Sequence, residues 1–108
     1  MTVIEHIAQT LEDHKAVDIV CMNVANLSPL FEHIVVATAT SSRHMQTLGE
    51  QVALTSKRHS KNIPQLEGNM HSDWLLVDAG SVIIHIMTQA ARDHYELEKL
   101  WSIEEETS

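Results

Sequence analysis

The chain has 108 residues, 44% of them hydrophobic and 20% charged, with only three glycines and two prolines. This length and composition are typical of one folded domain and exclude a disordered or low-complexity chain. The formal net charge of −8, from 15 acidic and 7 basic residues, argues against direct nucleic-acid binding as the main function, because phosphate backbones repel an acidic protein.

The lack of a recognisable membrane span or secretory signal, together with the single cysteine, favours a cytoplasmic protein. No apolar run approaches the ~18 residues of a membrane span, and residues 1–9 carry Glu5 but no basic residue, unlike a secretory signal. The single cysteine, Cys21, excludes an intramolecular disulfide. Because Cys21 lies in an apolar run, we expect its thiol to be buried.

The first part of the chain predicts a helix followed by two strands. Apolar residues recur at helical spacing over about residues 1–15, which indicates an amphipathic helix. Residues 18–24 form a short apolar segment that predicts a strand, and residues 26–31 form a loop, since Pro29 excludes a continuing central strand. Residues 34–39 are rich in β-branched residues and apolar on both faces, which is typical of a central strand covered on both sides.

A second helix is predicted to begin after this central strand. Thr40, Ser41 and Ser42 are N-cap candidates, and the apolar stripe that follows runs to about His59. The one basic cluster, residues 57–61, falls at the end of this helix, where cations complement the helix dipole. The cluster is therefore not evidence of a nucleic-acid site.

The next segment predicts a loop and then a β-hairpin. Residues 62–72 read as a loop, and the apolar runs 74–77 and 82–87 read as two strands. The connection, residues 78–81, is short and contains the flexible Gly80, which favours a hairpin.

The C-terminal segment completes the predicted architecture. Residues 89–101 predict a third helix, and residues 104–108 an acidic, flexible tail outside a single domain spanning residues 1–103. The order α-β-β-α-β-β-α predicts an α/β fold of the mixed α+β kind, with a mixed sheet and a helical crossover in its middle.

Metal and cofactor sites have little support in the sequence. The eight histidines form no H-x-H, H-x3-H or H-E-x-x-H pattern, and one cysteine cannot form a C-x-x-C motif. We therefore expect no metal site and no cofactor.

An enzymatic alternative rests on Ser42, Arg43 and His44, which lie where a strand passes into a helix. A helix N-terminus there would form a small anion site, as in folds that transfer nucleotidyl groups. Those folds also need paired aspartates for two magnesium ions, and the chain has no Asp-x-Asp pair. The alternative function is therefore a nucleotide- or phosphate-handling enzyme, and the simpler interpretation of the serines is an N-cap.

The predicted hairpin carries the best candidates for partner binding. Trp74 opens a strand beside Asp73, with Met87 on the paired strand, a composition expected of an interface anchor as well as of plain core packing. Asp78 and His85 flank the turn and are predicted to face each other, which would fix the register of the hairpin.

Three motifs in one order make the chain recognisable. Residues 38–44 read T-x-T-S-S-R-H, residues 73–85 carry D-W…D-x-G…H, and residues 92–101 read R-x-x-Y-x-L-E-x-L-W. With these motifs the chain resembles the ribosomal silencing factor family, also called Iojap-like proteins, over about residues 11–101.

The resemblance implies a fold similar to the nucleotidyltransferase core without its catalytic carboxylates. It also implies binding to the large ribosomal subunit through ribosomal protein L-fourteen, a basic protein on the face that meets the small subunit. The bound factor would block subunit joining and lower translation when nutrients are short. Steric exclusion of this kind needs no catalytic residue, and a homodimer is a further assembly that the resemblance implies.

The resemblance also implies which residues contact the partner. Trp74 would be a principal contact, with Ala79 and Met87 nearby on the same hairpin, and Asp73 and Asp78 would meet cations of the partner. Because the family usually has an aromatic residue or Leu at the position of Ala79, we expect a smaller apolar contact there.

Overall fold

A computed structural model describes residues 2–60, 63–68 and 73–91 of the chain. These residues form two helices and five strands in the order α1 (Val3–Asp13), β1 (Val17–Asn23), β2 (His33–Ala39), α2 (Ser42–His59), β3 (Gln65–Glu67), β4 (Trp74–Asp78) and β5 (Val82–Thr88). The mixed α+β class is confirmed. Residues 89–91 are helical, as predicted, whereas the rest of the predicted third helix and the acidic tail lie outside the described residues.

The five strands form one mixed sheet in the order β1-β2-β5-β4-β3. Only β2 and β5 pair in parallel; the other neighbours are antiparallel. Strand β2 lies inside the sheet, and its residues from Ile34 to Ala39 are all buried, as expected of a strand covered on both sides. The relation to the nucleotidyltransferase core stays a prediction.

Helices α1 and α2 pack against one face of the sheet and run antiparallel to each other. Their contacts pair the start of one with the end of the other: the rings of His6 and His59 stack with centroids 3.6 Å apart, and the hydroxyls of Thr10 and Thr55 are 2.7 Å apart. Gly49 lets α2 approach closely, because a Cβ there would overlap the side chain of Leu75 on β4. The helix-side core contains the buried residues Ile7, Leu11, Val35, Met45, Leu48, Val52, Leu75, Val77, Ile84 and Ile86.

The other face of the sheet carries a second, smaller core. Its buried members are Met22, Val24, Ile34, Val36, Met87 and Ala91. Leu27 and Phe31, from the loop after β1, and Trp74, from β4, pack against this cluster. Neither helix of the described residues is long and apolar enough to cross a membrane.

Two details of the strands differ from the prediction. The predicted loop 62–72 contains β3, which pairs with β4 through only three residues, all exposed, so the sequence has no apolar pattern that could reveal it. Strand β1 begins at Val17 and bulges at Asp18, whose φ of 48° shifts the register against β2. Cys21, predicted to be buried, is exposed on this strand at the edge of the sheet.

The end of α1 is held in a Schellman motif with an unusual residue. Lys15 N–H donates to the carbonyl of Glu12 at 3.0 Å, and Ala16 N–H donates to that of Leu11 at 2.9 Å. Lys15 has a φ of 65°, a left-handed conformation that suits glycine and is unfavourable for a residue with a Cβ.

We therefore expect Lys15→Gly to raise the free energy of unfolding by about 1 kcal/mol, because it removes the steric penalty at this position. Urea denaturation measures the change. Lys15→Ala, which removes the charge but keeps the Cβ, is the control and should give no gain. Equal stabilisation by both variants would contradict the backbone explanation.

Candidate functional site

The hairpin of β4 and β5 presents alternate side chains to opposite faces of the sheet. Leu75 and Val77 on β4 point to the helices, so Trp74, Leu76 and Asp78 point the other way. The same alternation and the strand registers extend this second surface onto β3 and β5. We call it the open face, formed by Gln65, Glu67, Trp74, Leu76, Asp78, Ile83 and His85.

Trp74 is the largest side chain of the open face, and it is only partly buried. One part of the indole packs against the second core. Its Nε1–H donates a hydrogen bond of 2.8 Å to Nδ1 of His85, with ring centroids 5.3 Å apart and planes inclined by 54°. The indole thus combines apolar area with a fixed orientation, the properties of an interface anchor.

His85 is neutral at physiological pH. Its register partners are Leu76 on β4 and Val36 on β2, both apolar, and burial lowers the pKa of His85 to about 4. Because Nδ1 accepts the indole hydrogen bond, the ring proton is assigned to Nε2.

The predicted pairing of Asp78 with His85 is wrong. Asp78 lies opposite Ile83 in the hairpin, whereas His85 lies opposite Leu76. The carboxylate of Asp78 instead accepts the Gly80 N–H at 3.0 Å, within a tight turn in which Gly80 has a φ of 82°. The hairpin itself is confirmed, but its register is set by the turn and not by an ion pair.

Carboxylates surround the apolar part of the open face. Glu67 and Asp78 are exposed on this face next to the partly buried Leu76, and Asp73 is exposed at the end of the hairpin, next to Trp74 in sequence. In the described parts of the chain, the lysines and arginines belong to the helices or to their immediate ends: Lys15, Arg43, Lys57 and Arg58. The helical side thus carries both cations and carboxylates, among them Glu12 and Glu50, whereas the open face carries carboxylates and, among the described residues, no lysine or arginine.

Two of the predicted contact residues do not lie on the surface. Met87 is fully buried in the second core, and Ala79 is 3% exposed in the helix-side core. Neither side chain has surface area that a partner could contact. The small size of Ala79 therefore does not reduce an apolar contact with the partner, contrary to what the sequence led us to expect. Trp74, Asp73 and Asp78 do reach the surface around the hairpin.

Of the residues of the enzymatic alternative, Ser42 and Arg43 are exposed in the first turn of α2, and His44 joins α2 to the end of α1. Ser41 is the N-cap of α2, and its side chain accepts the His44 N–H at 3.0 Å. Nδ1 of His44 accepts the Thr40 N–H at 3.0 Å, and Nε2 lies 2.8 Å from the carbonyl oxygen of His14. Because both ring nitrogens contact the backbone, His44 is not available as a general base.

Carboxylate ligands for a metal ion are lacking where the two helices join. The shallow depression at the start of α2 is lined by His14, Lys15, Thr40, Ser41, Arg43, His44 and Thr47, none of which has a carboxylate. Among residues 2–60, 63–68 and 73–91, no three His, Cys, Asp or Glu side chains are grouped so that they could hold a metal ion. Two-metal nucleotidyl transfer therefore has no support from this arrangement.

Comparisons with known proteins agree on one family. The model of the family described as "Ribosomal silencing factor during starvation" matches residues 1–108. A ribosomal silencing factor of Chromobacterium violaceum is 39% identical over 93 residues, which are 86% of this chain and 76% of that protein. One of Haemophilus influenzae is 34% identical over 102 residues, covering 94% of this chain and 100% of the relative. A mouse protein named "Mitochondrial assembly of ribosomal large subunit protein 1" is 32% identical over 93% of this chain and 45% of its own length.

Solved structures share the fold. A crystal structure of a Chromobacterium violaceum protein superimposes with a TM-score of 0.87 at 36% identity, over 93% of this chain and 83% of that one. A crystal structure from Bacillus halodurans gives a TM-score of 0.79 over 92% of both chains, with 24% identity.

The lowered pKa of His85 predicts a pH dependence of stability. Its folded-state pKa of about 4 lies below the ordinary value of 6.5, so the unfolded chain binds more protons between these values. Stability should be fully present above pH 6.5 and should fall towards pH 4, by up to about 3 kcal/mol from this group. His85→Gln should flatten the profile, measured by urea denaturation at each pH. Parallel profiles for the parent and the variant would contradict this assignment.

Proposed function

We propose that this chain, which belongs to the ribosomal silencing factor family, binds the large ribosomal subunit through ribosomal protein L-fourteen and represses translation when nutrients are short. Bound there, it blocks association with the small subunit. The observation that carries the proposal is the open face, in which a partly buried tryptophan is surrounded by carboxylates. We further propose that the chain acts in the cytoplasm.

The composition of the open face suits a basic protein partner. Aromatic and aliphatic anchors at the centre of an interface provide most of the binding energy, and Trp74 with Leu76 and Ile83 supplies such a centre. The carboxylates of Glu67, Asp73 and Asp78 are placed to meet lysines and arginines of the partner, which speeds encounter and selects against acidic proteins.

The name of the mouse relative ties that protein to the large ribosomal subunit, which supports the choice of subunit for this chain. Repression by occupancy requires no bond to be made or broken, so we propose no catalytic residue. Met87 and Ala79 take a supporting role in this proposal, because they pack beneath the face that carries the contacts.

A homodimer is a second proposed assembly, and the dependence of the molecular mass on protein concentration tests it.

We expect Trp74→Ala to weaken co-sedimentation with purified large subunits by at least about tenfold, because it removes the central anchor. Leu54→Ala is the matched control, since Leu54 is 46% exposed on α2, on the opposite layer. The control should co-sediment like the parent.

Because Trp74 also packs against the second core, circular dichroism and thermal unfolding must establish that Trp74→Ala is folded. A folded Trp74→Ala variant that co-sediments as well as the parent would place the interface elsewhere.

The acidic rim gives a separate prediction. The double variant Glu67→Lys with Asp73→Lys should bind large subunits several-fold more weakly at low salt, with a difference that shrinks as salt is added. Glu12→Lys with Glu50→Lys makes the same change in net charge on exposed positions of the helices and is the control. Equal losses in both double variants would mean that net charge, and not the rim, governs binding.

A further inference from the structure

The hydrogen bond between Trp74 and His85 joins two strands across the open face. Trp74 begins β4, and His85 lies near the middle of β5, opposite Leu76. The two rings are therefore diagonal neighbours, which aromatic side chains can bridge. Their 2.8 Å contact connects residues 11 apart in sequence.

We propose that His85 is a positioning residue for partner docking, which holds the indole of Trp74 in the orientation that the partner contacts. This inference rests on the proposed function, since it assumes that Trp74 is the anchor of the interface. It assigns to His85 a part in binding that its own surface exposure does not suggest.

An indole at the edge of a core needs such a restraint. Trp74 is the first residue of β4, so the strand supports it only from the residues that follow. A tryptophan side chain has two rotatable bonds, and a fixed rotamer saves conformational entropy when a partner binds. The Nε1–H is a donor only and, when partly buried, is costly without an acceptor, so the Nδ1 lone pair of His85 selects the rotamer that reaches it.

The surroundings of His85 keep this acceptor available. Protonated imidazole has no lone pair to accept a hydrogen bond, so the restraint exists only while the ring is neutral. The carboxylates nearest by register are Asp78, which is diagonal to His85 across the hairpin and accepts the Gly80 N–H in the turn, and Glu67, which lies one strand further away, opposite Leu76. The side chains next to His85 on its own strand and directly across from it are apolar: Leu76, Ile83 and Val36. These neighbours favour the neutral ring.

The first measurement detects the hydrogen bond itself. The chain has two tryptophans, so Trp101→Phe assigns the two indole N–H signals in a proton–nitrogen NMR spectrum. We expect His85→Leu, which keeps apolar volume but removes the acceptor, to shift the Trp74 indole signal upfield. His85→Gln, whose amide oxygen can accept, should keep most of the parent's downfield shift. An unchanged signal in His85→Leu would overturn the proposal.

The second measurement connects the hydrogen bond to docking. His85→Leu should weaken binding to purified large subunits by about three- to tenfold, and His85→Gln by less than about twofold, the range expected for one hydrogen bond. In a Trp74→Phe background, which lacks the donor, His85→Leu should cause no further loss. A loss of the same size in that background would mean that His85 contacts the partner or only supports the fold, and would overturn the proposal.

The outcomes separate this inference from the proposed function. If the parent does not bind large subunits, both fail. If the parent binds and Trp74→Ala weakens binding, but His85→Leu binds like the parent, only the positioning role fails. Should His85→Leu not fold, His85→Met carries the same expectations.

Discussion

A pair of parallel strands at the centre of the sheet determines the rest of this structure. Pairing with β5 on one side and β1 on the other places β2 inside the sheet, so each of its apolar faces must be covered by other parts of the chain. The two helices cover the centre of one face. The other face is covered in part by the loop after β1, while the hairpin end of the sheet keeps tryptophan, leucine and isoleucine side chains partly exposed. The candidate site is this incompletely covered region.

The unequal coverage is matched by an unequal distribution of charge. The helical layer carries the lysines and arginines of the described residues, where they suit helix ends and remain solvated. The open face has carboxylates around an apolar centre. An acidic protein can therefore offer a specific surface to a basic partner. Its net charge alone would distinguish one basic protein from another only weakly. This complementarity of charge supports the proposal that the chain acts by occupying a surface of a basic partner.

Sequence patterns predicted the elements whose apolar residues are buried in a regular pattern. The helices, the buried strand β2 and the hairpin follow from periodicity, apolar runs and a glycine turn. The patterns failed where geometry depends on distant contacts. Strand β3 has no apolar periodicity, the left-handed Lys15 has no glycine to mark it, and the hairpin register placed Ile83, not His85, opposite Asp78. The burial of Met87 depends on the loop after β1, which no local pattern relates to β5.

The two edges of the sheet have a consequence for the behaviour of the protein at high concentration. On one edge, the bulge at Asp18 interrupts β1, and on the other, β3 is only three residues long and ends in Glu67. Bulges, short strands and charges at a sheet edge all discourage another chain from adding a strand. Under the proposed mechanism of occupancy, each copy silences at most one subunit, so the protein is needed in numbers comparable to its targets. The interrupted edges disfavour fibre formation at such concentrations.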